Sequence, residues 1–188
     1  HNDSLVLPLK YANGALCDLE GGDVARFDCF PGQGANPQEC AARGCCWRQA
    51  SYGFRRYIDV PYCYFPSNYP SYSVTKLVSK DYGWSAVLTR SKPSPWPRDI
   101  NTLALDVYFE TQTRIHFKIY DPSNARYEVP LKTPQFEKNR RSTINDYDIK
   151  FQKSPFGITI FRKSTGAILF DTAIAGAPFI FSDQFIQI

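Results

Sequence analysis

Cysteine is the residue whose type and spacing could do the most chemistry in this chain. Six cysteines stand at positions 17, 29, 40, 45, 46 and 63, all in the first third of 188 residues. Thiols ligate metals, act as nucleophiles or oxidise to disulfides. No two of them show Cys-x-x-Cys spacing and the only histidines are His1 and His116, so metal is set aside. An even count with the vicinal pair Cys45-Cys46 reads instead as a disulfide framework. Six cysteines allow fifteen pairings, and spacing alone does not choose among them. The remaining chemistry is sparse. No Ser-His-Asp or Cys-His arrangement is visible, and His116 falls on the polar face of an expected strand. Gly21-Gly22 and Gly32-Gln33-Gly34 read as turns, not phosphate cradles. No catalytic residue, metal site or cofactor is assigned.

The elements that must position the cysteines begin with a helix. Asn36 is an N-cap, Pro37 suits the first helical position and Glu39 closes a capping-box-like pair. Gly44 supplies a left-handed end. A helix of about two turns, Pro37 to Arg43, would therefore present Cys40 and lead into Cys45-Cys46. A module this small has little core, so its bridges supply much of its stability, about 2–4 kcal/mol each. Persistent disulfides imply an oxidising compartment. Asn2-Asp3-Ser4 is a glycosylation sequon compatible with that, with Asn2 as the acceptor.

Beyond residue 66 there is no cysteine, and the period of the apolar residues becomes two. A stiff extended linker, Pro66 to Tyr72, leads to strands expected at Tyr72–Val78 and Trp84–Arg90. Ser91 to Arg98, with three prolines around Trp96, must be a loop. Leu103, Leu105, Val107 and Phe109 line one face of the clearest strand; Ile115, Phe117 and Ile119 line the next, making an antiparallel hairpin. Asp121 to Asn124 is a turn, Arg126 to Val129 a short strand, and Lys132 to Asn145 a mobile loop. Tyr147–Phe151 alternates again, Phe156–Arg162 pairs with Ala167–Phe170, and Phe185 to Ile188 reads as strand. No segment after Tyr72 has a helical period, so this part is expected to be an antiparallel sandwich. Asp99, Asp106, Asp121, Asp171 and Asp183 read as turn formers or strand-edge residues.

Aromatic residues form 15% of the chain, with 14 prolines and 11 glycines, a β-rich and turn-rich composition. The net charge of +4 is scattered, with small clusters only at Phe54-Arg55-Arg56 and Asn139-Arg140-Arg141, which excludes a nucleic-acid reader. No apolar run approaches the length needed to span a membrane. The chain starts at His1 without an apolar signal segment, which suggests a mature or excised product. It stops in an apolar strand, which suggests a piece of a longer polypeptide.

Two resemblances sharpen this. Arg26-Phe27-Asp28-Cys29-Phe30-Pro31, then Cys40, then Cys45-Cys46-Trp47 and Pro61-Tyr62-Cys63-Tyr64-Phe65-Pro66 resemble a P-type trefoil module. The resemblance implies the pairs Cys17–Cys46, Cys29–Cys45 and Cys40–Cys63. It also implies a cleft between loops that can take a sugar, for which the candidates are Asp28, Phe30, Pro31, Tyr62 and Tyr64. Tyr62 stands where trefoil lectins carry Trp.

Farther on, Ile119-Tyr120-Asp121-Pro122, Arg126-Tyr127-Glu128-Val129-Pro130, Pro155-Phe156-Gly157, Leu169-Phe170-Asp171-Thr172 and Phe181 to Gln187 resemble the N-terminal sandwich of family 31 glycoside hydrolases. A trefoil before such a sandwich is the arrangement of the animal α-glucosidases. The resemblance implies an arm at 1–15, a trefoil at 16–66, and at 67–188 a galactose-mutarotase-like sandwich cut short at its C-terminal end. It further implies a non-catalytic portion of a retaining exo-α-glucosidase that cleaves α-1,4 and some α-1,6 bonds. Its partners would be the catalytic barrel of the same polypeptide and an α-glucan or glycan. Its location would be the secretory pathway: lysosomal, brush-border or extracellular. The alternative is a carbohydrate-binding or mucin-associated, lectin-like trefoil without enzymatic activity.

Overall fold

The structure, a computed structural model, describes residues 14–51, 59–137, 139–183 and 186–188. Of the arm expected at 1–15, residues 1–13, Asn2 among them, lie outside the described residues. The chain divides into two compact units. The first runs to Tyr69 and includes Ala175–Pro178; the second holds Pro70–Ile174 and Phe179–Ile188.

The first unit carries two short helices, α1 (Gly14–Cys17) and α2 (Pro37–Ala42), a 3-10 turn at Gly22–Ala25, and strands β1 (Cys46–Trp47) and β2 (Cys63–Tyr64). Helix α2 starts as its sequence dictates. The Asn36 side chain accepts from the Glu39 N–H at 2.9 Å, and Pro37 follows it. Gly44 closes it with φ 74°, a left-handed conformation that glycine adopts without penalty. α1 and the 3-10 turn were not expected; four residues are too few to leave a periodic signature.

The second unit contains a four-stranded antiparallel sheet of β3 (Tyr72–Lys80), β4 (Gly83–Arg90), β5 (Thr102–Phe109) and β6 (Ile115–Tyr120), in that spatial order. A three-stranded sheet follows, β7 (Tyr147–Lys153), β8 (Phe156–Arg162) and β9 (Ile168–Asp171), also antiparallel. Each β4, β5 and β6 position is in register with its neighbours: Trp84, Val107 and Phe117 lie in one row, Ala86, Leu105 and Ile119 in the next. These rows face the inner side chains of β7 and β8, and one core joins Leu88, Leu103, Leu105 and Val107 to Tyr147, Ile149, Ile158 and Ile160. Trp84 meets Phe151 edge-on and Phe109 meets Tyr147 likewise. The expected mainly β fold with antiparallel sheets is thus found.

One expectation needs correction. Arg126 to Val129 is not a strand. Its arginine is used for capping instead, donating to the Ser182 and Asp183 carbonyls at 3.0 and 2.7 Å. The strand expected at the end of the chain is found as β11 (Ile186–Gln187), paired antiparallel with a further short strand, β10 (Ile180–Phe181); position 185 lies outside the described residues.

Gly83 opens β4 at φ 150°, and a Cβ there would lie 2.2 Å from the Val107 carbonyl oxygen. Gly83→Ala must push two paired strands apart and is expected to cost about 2–4 kcal/mol. Leu105→Ala empties a fully buried position and is expected to cost a similar amount, about 2–5 kcal/mol. Ile168→Ala, at an exposed position of β9, should stay within about 0.5 kcal/mol. Urea unfolding of the three variants checks this ordering.

Candidate functional site

The cysteines occupy the interior of the first unit as three disulfides, Cys17–Cys46, Cys29–Cys45 and Cys40–Cys63. The sulfurs of Cys29, Cys45 and Cys63 fall within 4.8 Å of one another. Each is bonded to sulfur, so none offers the thiolate that a metal needs.

Around this core the two segments holding the sugar-site candidates run side by side. Asp28 bridges Tyr64, the Cys29 N–H donates to the Cys63 carbonyl at 3.1 Å, and the Phe65 N–H to the Phe27 carbonyl at 3.2 Å. Asp28 and Pro31 are exposed. One Asp28 oxygen accepts from the Phe30 N–H at 2.7 Å, which holds the loop in an Asx turn. Phe30 is half-buried with the Arg43 guanidinium 3.8 Å above its ring. Arg43 is itself fixed by a 2.9 Å bond to the Cys29 carbonyl. Tyr62 is half-buried and meets Trp47 edge-on at 6.0 Å.

Tyr64 is different. It is 1% exposed, its hydroxyl donates to the Cys17 carbonyl at 2.8 Å, and the Arg26 guanidinium covers its ring at 4.4 Å. Tyr64 serves the disulfide core and offers no face to a ligand. Arg43 and Trp47, which the reading of the sequence did not select, stand in contact with the candidates. Their position beside Cys45-Cys46 was the available signal.

A small cavity of about 100 Å³ beside Tyr64 is walled by Asp18, Asp23, Arg26 and Arg48. Its charges are mutually paired, Arg26 with Asp23 at 2.6 Å and Arg48 with Asp18 at 2.7 Å. It is too small for a sugar ring with its hydroxyls, since ligand pockets begin at about 300 Å³.

The carboxylates of the second unit are committed to structure. Asp106 accepts from the Tyr82 and Tyr120 hydroxyls at 2.8 and 2.9 Å. Asp121 accepts from the Ser123 N–H and the Asn124 amide, bonds that hold it below the usual carboxylate range. Asp171 accepts from Thr159 and from the Ala173 N–H. Asp99 holds Ser94 through both oxygens and lies 3.4 Å from the buried Arg90. Asp183 pairs with Arg98 at 2.9 Å. His116 reaches Glu110 at 3.1 Å, and Arg114 pairs with the same carboxylate. Each of these acids is bonded within the fold, whereas hydrolysis of a glycosidic bond uses two carboxyl groups that flank it.

Residues 20–66 match the Trefoil (P-type) domain. Over 172 residues, 92% of its length, the chain is 44% identical to lysosomal alpha-glucosidase of Bos taurus. It is 37% identical over 175 residues to intestinal sucrase-isomaltase of Oryctolagus cuniculus, and 32% identical over 184 residues to probable maltase-glucoamylase 2 of Homo sapiens. These matches take up 18%, 9% and 7% of the relatives, so the chain spans less than a fifth of their length. The matched part is the N-terminal region of these glucosidases. The chain thus contains a P-type trefoil followed by a β unit.

Two outcomes are expected. Cys40→Ser with Cys63→Ser releases a bridge worth about 2–4 kcal/mol. Hydrogen exchange at the Cys29 and Cys45 amides, both bonded within this core, should accelerate. The second concerns Tyr82, whose phenol is pushed from 10.0 up to about 12 by burial and by its bond to Asp106. Its folded value exceeds its unfolded value, so its contribution is complete below pH 10 and is lost as pH rises through 12. The alkaline fall in stability should be shallower in Tyr82→Phe than in the parent.

Proposed function

We propose that residues 1–188 are a non-catalytic N-terminal portion of a larger retaining exo-α-glucosidase, one that hydrolyses α-1,4 and some α-1,6 glucosidic bonds of maltose, oligosaccharides or glycogen. One observation carries the reading. A single continuous similarity, over 92% of the chain, runs through both the trefoil and the β unit of lysosomal alpha-glucosidase. Shared disulfide spacing alone would support only a trefoil. The organisation proposed is an arm at 1–15, the trefoil at 16–66 and a sandwich from 67.

Retaining hydrolysis needs a nucleophilic carboxylate and an acid/base carboxyl about 5–5.5 Å apart. The six acids described above are engaged in hydrogen bonds and ion pairs within the fold, so in this reading both catalytic groups belong to a (β/α)8 barrel elsewhere in the polypeptide. The present segment then buttresses that barrel and shapes the approach to it. Three disulfides in the first unit fit a protein of the secretory pathway, lysosomal, brush-border or extracellular.

A second reading is favoured by one specific arrangement. Asp28 bridges Tyr64, two residues from Tyr62, and Asp28, Phe30 and Tyr62 supply an exposed carboxylate and two half-buried rings. This is the composition with which proteins hold sugars, one polar anchor with flat apolar faces. In that reading the trefoil is a carbohydrate-binding or mucin-associated, lectin-like module without enzymatic activity.

The longer polypeptide should hydrolyse maltose and glycogen, whereas residues 1–188 should hydrolyse neither. Turnover by 1–188, or an inert full-length protein, overturns the first reading. Titration with maltose and with mucin-type disaccharides, followed by tryptophan fluorescence, tests the second. Binding that Tyr62→Ala weakens at least about tenfold supports it, a loss of about 1.4 kcal/mol, and silence toward both sugars removes it.

A further inference from the structure

The outer face of the four-stranded sheet is not the plain polar surface that a solvated sheet face usually presents. On it β5 and β6 set Tyr108 opposite His116. Tyr82 stacks on Tyr108 with ring centres 4.8 Å apart. Tyr108 also meets the His116 ring at 5.6 Å, and Phe136 approaches it edge-on at 5.9 Å. Asp106 fixes Tyr82 by accepting from its hydroxyl at 2.8 Å. Four rings thus gather at one end of this face, and none of the four is buried.

A cleft of about 390 Å³ adjoins them. Phe136 belongs to both, since its ring touches Tyr108 and also lines the cleft. Glu110, two residues on from Tyr108, lines it as well, together with residues 140–143. Those residues are fastened to the sheet. The Arg141 N–H donates to the Asp81 carbonyl at 2.8 Å and the Ser142 N–H to the Phe109 carbonyl at 2.7 Å. The Arg141 guanidinium adds bonds to the Ser79 hydroxyl and the Lys80 carbonyl at 3.1 and 3.0 Å.

The polar groups of the cleft are of two kinds. Glu110 is committed, with a side chain only 5% exposed that pairs with Arg114 and His116. Glu137 and Arg140 are exposed, and neither side chain has a partner among the described residues. A free carboxylate accepts hydroxyl protons, a free guanidinium donates in a plane, and the ring beside them offers a flat apolar face. The volume lies within the range of small-ligand clefts, about 300–1,000 Å³. Charges of both signs favour a neutral ligand over an anion or a cation. An apolar protein surface would bury Glu137 and Arg140 without partners, at a cost. A hydroxyl-rich chain meets every one of these conditions.

We propose that this cleft is a surface binding site for an α-glucan, separate from the site of hydrolysis. One sugar face lies on Phe136, and adjacent hydroxyls bond to Glu137 and Arg140. The second unit then holds a polymeric substrate on the enzyme without taking part in bond cleavage. The choice of an α-glucan among sugars rests on the glucosidase reading above; the cleft's own chemistry asks only for a neutral sugar chain.

The test sediments the full-length protein with glycogen while saturating 1-deoxynojirimycin blocks the catalytic site. The parent should be carried down. Glu137→Gln with Arg140→Ala alters only exposed side chains, and should weaken retention at least about tenfold, as loss of charged hydrogen bonds does. Phe136→Ala should weaken it too. Without the inhibitor, the double variant should hydrolyse maltose at the parental rate and show a raised KM for glycogen. A parent left in the supernatant, parental retention by the double variant, or retention lost only on Tyr62→Ala overturns the proposal. A protein inert toward maltose whose retention still depends on Glu137 and Arg140 overturns the glucosidase reading instead and leaves the cleft as a sugar site.

Discussion

Burial of one row of side chains on β5 is the constraint from which the second unit follows. Leu103, Leu105 and Val107 pair with Leu88, Ala86 and Trp84 on β4, and Leu105 and Val107 pair also with Ile119 and Phe117 on β6. A slip of one residue would turn that row to solvent and put Ala104, Asp106 and Tyr108 in the core. Asp106 makes the penalty concrete, because its carboxylate is satisfied only by the Tyr82 and Tyr120 hydroxyls on the outer face. Register, hairpin order and the position of the tyrosine–aspartate cluster are thus one decision.

The first unit solves the opposite problem. It has little apolar area, and its buried side chains are largely the cysteines themselves with Tyr64 and Phe65. Sulfur bonds replace a large core, and arginines do the remaining work. Arg26 covers Tyr64 and donates to the Arg48 and Pro61 carbonyls; Arg43 covers Phe30 and donates to the Cys29 carbonyl. Flat guanidinium groups are suited to this, since they stack on rings while donating in plane. That solution leaves few groups free for chemistry, which is consistent with a supporting or tethering role.

Much of this was legible in the sequence where one local rule acts alone. Asn36-Pro37 starts a helix, Gly44 ends it, and the period-two rows of β5 and β6 appear where they were expected. What was not legible depends on long-range partners. Arg126 to Val129 has a strand composition but spends its arginine on carbonyls 56 and 57 residues away. Ser182, directly after β10, bridges Asp99, a partner 83 positions away that no local pattern announces. Tyr64 has the type and spacing of a sugar-stacking residue, and only the placement of Arg26 and Cys17 against it reveals a core side chain. Arg90 continues the inward alternation of Ala86 and Leu88, so a charge lies buried against Asp99 and the Tyr72 ring where periodicity would place an apolar group.

The functional account makes one central claim, that this chain supports a carboxylate-pair hydrolase without supplying either carboxylate. The most direct measurement is the anomeric configuration of the first glucose released from maltose by the full-length protein, followed by proton NMR before mutarotation. The account predicts α-glucose, the product of retention at a site outside residues 1–188. Release of β-glucose, or no release at all, would contradict it.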